Sequence, residues 1–218
     1  MKMIKNGQAE LLNMKGGENI YIPTVCGVGY IGEGKYKVSM NRKHTIEYDR
    51  WKGMLRRCYD EKERYKNSTY SDVTICDEWL NFQNFAEWWN TNYYSIDDEK
   101  MQLDKDILVK GNKIYSPEYC IFVPQCINSL FVKRDQSRGD LPIGVGYDKK
   151  RNKYRAYCSI KKKLVAIGNN YHTPEDAFYK GYKPFKEKVI KEMADRYKEN
   201  IPVKLYDAMM NYEVEISD

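Results

Sequence analysis

The sequence has few of the features that mark metal-rich, secreted or membrane-spanning proteins. It contains only two histidines, His44 and His172, in 218 residues. No two of its six cysteines form a C-x-x-C pair, so their spacing carries no zinc signature. No apolar run approaches the roughly 20 residues that cross a bilayer, and the first residues lack the apolar core of a signal peptide. We therefore expect a cytoplasmic protein without membrane contact, whose cysteines are reduced thiols.

The positive charge of the chain is concentrated in one block. The formal net charge is +6. Residues 133–163 contain eleven lysines and arginines against three aspartates, a local charge of 11 − 3 = +8, so the rest of the chain sums to −2. A basic block in a near-neutral chain favours a polyanionic partner. The twenty tyrosines suit contact surfaces as well, which leaves a protein-binding module without a DNA role as an alternative.

The first half of the chain predicts two helices with aromatic stripes. Over residues 48–60, apolar side chains recur at helical spacing, at Tyr48, Trp51, Leu55 and Cys58. Residues 76–90 predict a second helix with Asp77 as its N-cap. Before these helices, the glycine-rich residues 25–38 predict two short strands around a turn. The simplest role of both stripes is core packing.

Residues 101–131 predict a strand, a turn, a second strand and a helix. Asp104 would project from the first strand (101–107), and Asn128 from the helix that begins at 125. Carboxylate and amide oxygens are ligands that Mg²⁺ or another divalent cation accepts. Side chains alternate along a strand, so Asp104 and Asp106 would share one side with Lys105 on the other. The alternative to a metal site is a solvated, charged hairpin.

Residues 144–168 alternate in the manner of three short antiparallel strands. Lys153, Arg155, Tyr157 and Ser159 would form one face. The other face would consist of Tyr154, Ala156, Cys158 and Ile160. Thr173 followed by Pro174 predicts the start of a helix, which Pro184 must then kink or interrupt. The alternative to a binding surface is a soluble sheet with solvated lysines.

Three segments in series resemble the HNH endonucleases that tailed phages encode, many of them homing endonucleases. The segments are YDRWKGMLRRCY, ICDEWLNFQNFAEW and LDKDILVKGNKIYSPEYCIFVPQCIN, within residues 48–131. The resemblance implies a ββα-metal core, a divalent cation and cleavage of DNA. It places the metal-binding aspartate at Asp104 and the final asparagine at Asn128.

The general-base histidine of that family falls on Lys105, and its loop asparagine falls on Tyr119. In this sequence Asp106 is therefore a candidate base or second ligand, and Asn112 a candidate replacement for the loop asparagine. Lys105 would act either with a strongly depressed pKa or as a phosphate contact.

The segment GVGYDKKRNKYRAYCSI, the glycine of AIGNNY and the helix start TPEDAF resemble the DNA-binding domain of plant ethylene response factors, a domain also found behind phage HNH domains. The resemblance implies that the sheet face enters a DNA major groove. The residues that would contact DNA are Arg151, Lys153, Arg155, Tyr157, Lys161, Lys162 and Lys163.

The predicted fold is α+β, with a ββα-metal core, flanking helices and a small three-stranded sheet with one helix. The predicted organisation is a lead-in (1–24), an HNH-like nuclease domain (25–131), a linker (132–143), and a DNA-binding domain with a C-terminal helical extension (144–218). The predicted function is metal-dependent phosphodiester cleavage of double-stranded DNA. The alternative is a catalytically degenerate relative that binds DNA as a regulator or inhibits a host system through a host protein partner.

Overall fold

The computed structural model describes residues 11–13, 19–21, 23–66, 70–132, 139–160 and 163–218. The helices, in chain order, are α1 Ile46–Tyr59, α2 Glu61–Lys66, α3 Asp77–Leu80, α4 Phe82–Asn92, α5 Gln125–Asn128, α6 Pro174–Ala177, α7 Lys183–Tyr197 and α8 Val203–Met210. The strands are β1 Leu11–Asn13, β2 Asn19–Tyr21, β3 Ser39–Met40, β4 Lys43–His44, β5 Thr74–Ile75, β6 Met101–Asp104, β7 Ile114–Tyr115, β8 Ile121–Pro124, β9 Val145–Asp148, β10 Lys153–Ile160 and β11 Lys163–Tyr171. This mixture of helices and small sheets confirms the predicted α+β class.

The chain divides into two compact units, each built from two separate stretches. The first unit comprises Met1–Ser95 and Val109–Phe122, and the second comprises Ile96–Leu108 and Val123–Asp218. The predicted domain boundaries stay a prediction. Residues 133–138 of the predicted linker and most of the predicted lead-in (1–24) lie outside the described residues. Across the described ranges, no helix combines the length and apolar character that a membrane crossing requires.

An aromatic core organises the first unit. The stripe that predicted α1 is buried at Tyr48, Trp51, Leu55 and Cys58, which confirms that helix. Trp51 has no exposed surface, and its indole N–H donates to the backbone oxygen of Trp79 at 2.7 Å. Bulky side chains that pack in this way contribute most of the burial in a small domain.

The single helix predicted over residues 76–90 is wrong, because the chain breaks at Asn81. The Asn81 side chain accepts the backbone N–H of Gln83 at 2.9 Å and caps a new helix, α4. Asp77 is the first residue of the short helix α3 rather than its N-cap. An asparagine satisfies a helix start better than it continues a helix interior, so it restarts the helix here.

Two short strands predicted within residues 25–38 are also wrong. This stretch is described throughout, and its pairing is limited to isolated bridges, among them Val25 with Gly29. Cys26 and Gly27 both have positive φ, at 53° and 72°, so the chain turns too tightly for a ladder to extend. In the same unit β5 pairs in parallel with β7.

The second unit contains the predicted three-stranded sheet, which is confirmed with the order β11–β10–β9 and antiparallel pairing. Ala156 and Cys158 are buried, whereas Arg155 and Ser159 are exposed. The Thr173 side chain accepts the N–H of Asp176 at 3.1 Å and caps α6. A π-helical turn, Phe178–Tyr182, then separates α6 from α7. Pro184 lies in the first turn of α7, so the interruption predicted there is confirmed.

The strand–turn–strand–helix prediction for residues 101–131 holds in part. Strands β6 and β8 form a two-stranded sheet, and α5 follows β8 and packs on β6. The first strand ends at Asp104 instead of continuing to residue 107, and the second begins at Ile121. Residues 114–115 pair with β5 instead. The metal-binding form of this arrangement stays a prediction.

Candidate functional site

Asp104 closes the turn that ends β6. Its carboxylate oxygen Oδ1 accepts two backbone N–H groups, from Asp106 at 2.9 Å and from Ile107 at 2.7 Å. This side-chain-to-backbone pattern is the ordinary way in which aspartate stabilises a turn. The expected alternation of side chains therefore ends at Asp104, and Asp106 lies in the turn rather than on a strand.

The Asp104 carboxyl is held where negative charge is unfavourable. Burial raises its pKa to about 6, and the neighbouring carboxylate of Asp106 adds to this rise. The two backbone N–H donors and the charge of Lys105 oppose it. Low local dielectric and a like charge both disfavour the ionised form, and a bound cation reverses both effects. The electrostatics of this turn therefore suit a cation.

Lys105 forms an ion pair with the residue next to it. Its Nζ lies 2.9 Å from Asp106 Oδ2, and only 11% of the lysine side chain is exposed. A protonated amine donates hydrogen bonds and has no lone pair with which to accept a proton. The two candidate general bases of this turn are thus paired with each other.

The two candidate asparagines lie in different units. Asn128 is the last residue of α5, in the same unit as Asp104, and α5 packs on the strand that carries Asp104. Asn112 belongs to the first unit, where its amide donates to Ile114 O at 2.7 Å and accepts the Ile114 N–H at 3.2 Å. Asp104 and Asn128 therefore lie on adjoining elements, while Asn112 has a local turn role.

The carboxylates of this turn affect the pKa of Tyr212, a residue that no pattern in the sequence connects with them. Burial raises the pKa of Tyr212, and the carboxylates of Asp218 and Asp106 raise it further. The Tyr212 ring also packs edge-on against Phe131, with ring centroids 4.8 Å apart. No sequence signal connects residues about a hundred positions apart, so only the tertiary structure shows that the charges of the Asp104 turn act on Tyr212.

Within the described ranges, no group of three or more His, Cys, Asp and Glu side chains is arranged to hold a metal ion. Both histidines have local partners. His44 Nδ1 lies 2.9 Å from Asp49 Oδ1 in the first unit, and His172 Nδ1 lies 2.9 Å from Lys153 Nζ on the sheet. Any cation at Asp104 therefore depends on carboxylate and amide oxygens, water and substrate.

The outer face of the three-stranded sheet is the second candidate site. We call it the basic face and define it by Lys153, Arg155, Tyr157 and Ser159 on β10. Gly146 on β9 lies opposite Arg155. A Cβ at Gly146 would lie 3.0 Å from the Tyr157 ring and 3.4 Å from Arg155 Nε. The missing side chain thus lets the arginine and the tyrosine lie side by side over the neighbouring strand.

The turn between β9 and β10 extends the basic face. Asp148 Oδ1 accepts the backbone N–H groups of Lys150 and Arg151, at 3.0 and 3.3 Å. This folds the loop so that Arg151 is exposed. At the other end of the sheet Lys163 is exposed, whereas Lys161 and Lys162 lie outside the described residues. Several of the predicted DNA contacts therefore share one sheet and its turns.

Buried side chains support the basic face from behind. A Cβ at Gly181, in the π-helical turn, would lie 2.7 Å from Ala156 Cβ, so helix and sheet are in close contact there. Phe178 is fully buried beside Tyr182. Close packing keeps the strand that carries Arg155 in one position, and a rigid strand orients its outward side chains.

Comparison with known protein families, with curated proteins and with solved structures gives no match to this chain.

Proposed function

We propose that this protein binds double-stranded DNA through the basic face of its three-stranded sheet. The observation that carries the proposal is the arrangement of Arg155 and Tyr157 over Gly146, on the exposed side of a sheet whose turns carry further positive charge. A β-sheet ribbon fits the major groove, and arginine hydrogen-bonds to guanine with two parallel donors. Lysines in the turns would bind backbone phosphates.

The affinity for random-sequence duplex DNA, measured by fluorescence anisotropy over a salt series, tests this proposal. Lysine and arginine contacts with phosphates release counterions, so log affinity should fall linearly with log salt concentration. On random-sequence DNA, Arg155→Ala should weaken binding and reduce the salt slope by about one unit if the side chain contacts a phosphate.

Lys204→Ala is the matched control, because it removes one positive charge from an exposed position on α8. Its affinity should equal that of the unaltered protein. Equal losses in the two variants would mean that net charge alone drives binding, and the basic face would then have no special role. Absence of binding at low salt would favour a protein-binding module instead.

A second candidate function is metal-dependent cleavage of that DNA. The observation that favours it is the raised pKa of Asp104 on a strand against which α5, the helix of Asn128, packs. Asp104 and Asn128 would hold a hard divalent cation, which would stabilise negative charge on the phosphate under attack. The pairing of Lys105 with Asp106 argues for a protein that keeps the DNA contact and has lost an efficient base.

A further inference from the structure

Arg57, in the last turn of α1, lies close to two tyrosine rings. The centre of its guanidinium is 5.8 Å from the ring centroid of Tyr70 and 5.8 Å from that of Tyr115. All three residues belong to the first unit. The rings limit the contact of the guanidinium with water, which strengthens its interaction with any anion that reaches it.

Within the described part of the chain, the charge of Arg57 lacks a carboxylate counter-ion. Its Nη2 donates one long hydrogen bond, 3.5 Å, to the Tyr115 hydroxyl, and its Nε is buried without an acceptor. Among the residues that the structure describes, no carboxylate lies within ion-pair distance of the guanidinium. The neighbouring Arg56, by contrast, pairs with Glu63 at 3.0 Å. A partly buried arginine without a carboxylate is unusual, because desolvation of the charge is unfavourable unless an anion offsets it.

One edge of the guanidinium faces a position without a side chain. Gly53 precedes Arg57 by one helical turn, and a Cβ built there would meet only Nη1 of Arg57, at 3.8 Å. Gly53 is half-buried. Glycine weakens a helix interior relative to alanine, and here its effect is to leave space beside Nη1 of Arg57.

We propose that Arg57, with the rings of Tyr70 and Tyr115 beside its guanidinium, forms a binding site for a phosphate-type oxyanion. The planar guanidinium presents parallel donors that match two oxygens of a phosphate, and the Tyr115 hydroxyl adds a third polar group. The site lies in the first unit, whereas the basic face lies in the second, so it goes beyond the DNA contact proposed above. The phosphate belongs either to a nucleic-acid backbone or to a small molecule.

Substitutions at Gly53 test the site without removing the arginine. Gly53→Glu places a carboxylate one turn before Arg57, where it can pair with the guanidinium and occupy the anion position. Gly53→Ala is the matched control, since a methyl group fits there at ordinary contact distance and carries no charge. Both substitutions should raise the melting temperature, so loss of folding does not confuse the result.

The measurement is the melting temperature of the full chain in inorganic phosphate and in sodium chloride of equal ionic strength. Phosphate that binds the folded state should raise it by roughly 2–4 °C in the unaltered protein and in Gly53→Ala. Gly53→Glu should show no such rise. Equal shifts in all three proteins, or no shift in any, would overturn the proposal.

A second arm identifies the source of the phosphate. If the site takes a nucleic-acid phosphate, the salt dependence of duplex DNA binding should be shallower in Gly53→Glu than in Gly53→Ala, by about one unit of slope. If the site takes a small phosphorylated molecule, the two slopes should agree while the phosphate response still separates the variants.

Discussion

Asp104 has a structural role and a candidate chemical role at once. Its Oδ1 holds the turn after β6 by accepting two backbone N–H groups. The same carboxyl is buried near Asp106, and its pKa rises to about 6 as a result. A turn needs only a hydrogen-bond acceptor, which asparagine also provides. A cation needs the charge. The two roles therefore separate when the charge alone is removed.

Asp104→Asn should raise the free energy of unfolding near pH 7.5 by roughly 1–3 kcal/mol. The pKa of Asp104 rises from 3.8 to about 6 on folding, and each pKa unit corresponds to at most about 1.4 kcal/mol. The folded state binds this proton more tightly than the unfolded state does. The contribution of Asp104 to stability therefore falls as pH rises from about 4 to about 6 and is constant above that. The gain in the free energy of unfolding from Asp104→Asn should vanish near pH 4.

Urea denaturation at pH 4, 6 and 7.5 measures this difference. Asp98→Asn removes an equivalent charge from an exposed position in the same unit and should change stability little at any of the three. Addition of Mg²⁺ or Mn²⁺ at pH 7.5 should stabilise the unaltered protein more than Asp104→Asn. If Asp104→Asn is less stable at pH 7.5, the carboxylate has a favourable ionic partner and the raised pKa is not the controlling effect.

Single residues could be predicted from the sequence where their role is local. Thr173 as a helix cap followed by Pro174 is such a case, because the hydrogen bond spans only three residues. Asp104 could be selected as a candidate ligand, but its role in the turn could not, since the point at which the strand ends depends on tertiary pairing. The effect of the Asp106 charge on the pKa of Tyr212 had no sequence signal, because interactions between distant segments leave no local pattern.

At the scale of elements, the three-stranded sheet was the most predictable part of the molecule. The central strand β10 alternates over Arg155–Ser159, and its faces follow from that period: Ala156 and Cys158 inward, Arg155 and Ser159 outward. The helix over 76–90 was less predictable, since a continuous aromatic stripe does not reveal that Asn81 caps a second helix. The spacing of apolar residues identifies a helix or strand, whereas hydrogen bonds from side chains to the backbone determine where it ends.

Gly144, just before β9, packs closely against Tyr182 in the π-helical turn. Its φ is +71°, and a Cβ there would overlap the ring of Tyr182. Gly144→Ala should therefore destabilise the protein by about 3 kcal/mol or more, from backbone strain and overpacking together. The loss should appear in chemical denaturation as a lower midpoint.

Gly139→Ala provides the matched control, because Gly139 also has positive φ, +64°, but no atom lies within 4 Å of its Cβ position. Gly139→Ala should lower the free energy of unfolding by only about 1–2 kcal/mol, because backbone strain is its one unfavourable effect. Equal losses in the two variants would show that the contact with Tyr182 contributes nothing. A loss confined to Gly144→Ala, together with weaker DNA binding, would show that the helical segment supports the basic face.

The whole molecule has an organisation that its sequence pattern does not display. Each unit draws on two stretches of chain. In the sequence, Val109–Phe122 of the first unit falls between the two stretches of the second unit. Composition favours a boundary at the charged residues 132–143, but compactness depends on which segments pack together. The Asp104 turn consequently shares a unit with the three-stranded sheet, which brings both candidate sites into one unit.

We expect the full chain to bind supercoiled plasmid without relaxing it, even in Mg²⁺ or Mn²⁺. The physical reason is that Lys105 and Asp106, the candidate bases beside Asp104, form an ion pair with each other at 2.9 Å. The Lys105 amine thus occupies the Asp106 oxygen that a general base would turn toward water. A metal at Asp104 and Asn128 would then stabilise charge without an efficient nucleophile. Gel electrophoresis of plasmid with and without EDTA, and a mobility shift on the same DNA, provide the two measurements.

Asp104→Asn is the decisive variant in that experiment, because it keeps the turn acceptor and removes the charge that a cation requires. If the unaltered protein produces relaxed circles in a divalent cation, and both EDTA and Asp104→Asn abolish them, cleavage is the function and the Lys105–Asp106 pair must open when DNA binds. Relaxation that survives in Asp104→Asn would place any nuclease chemistry elsewhere in the chain. Binding without relaxation in both proteins, weakened by Arg155→Ala, is the result we expect, since the basic face then acts without the metal site.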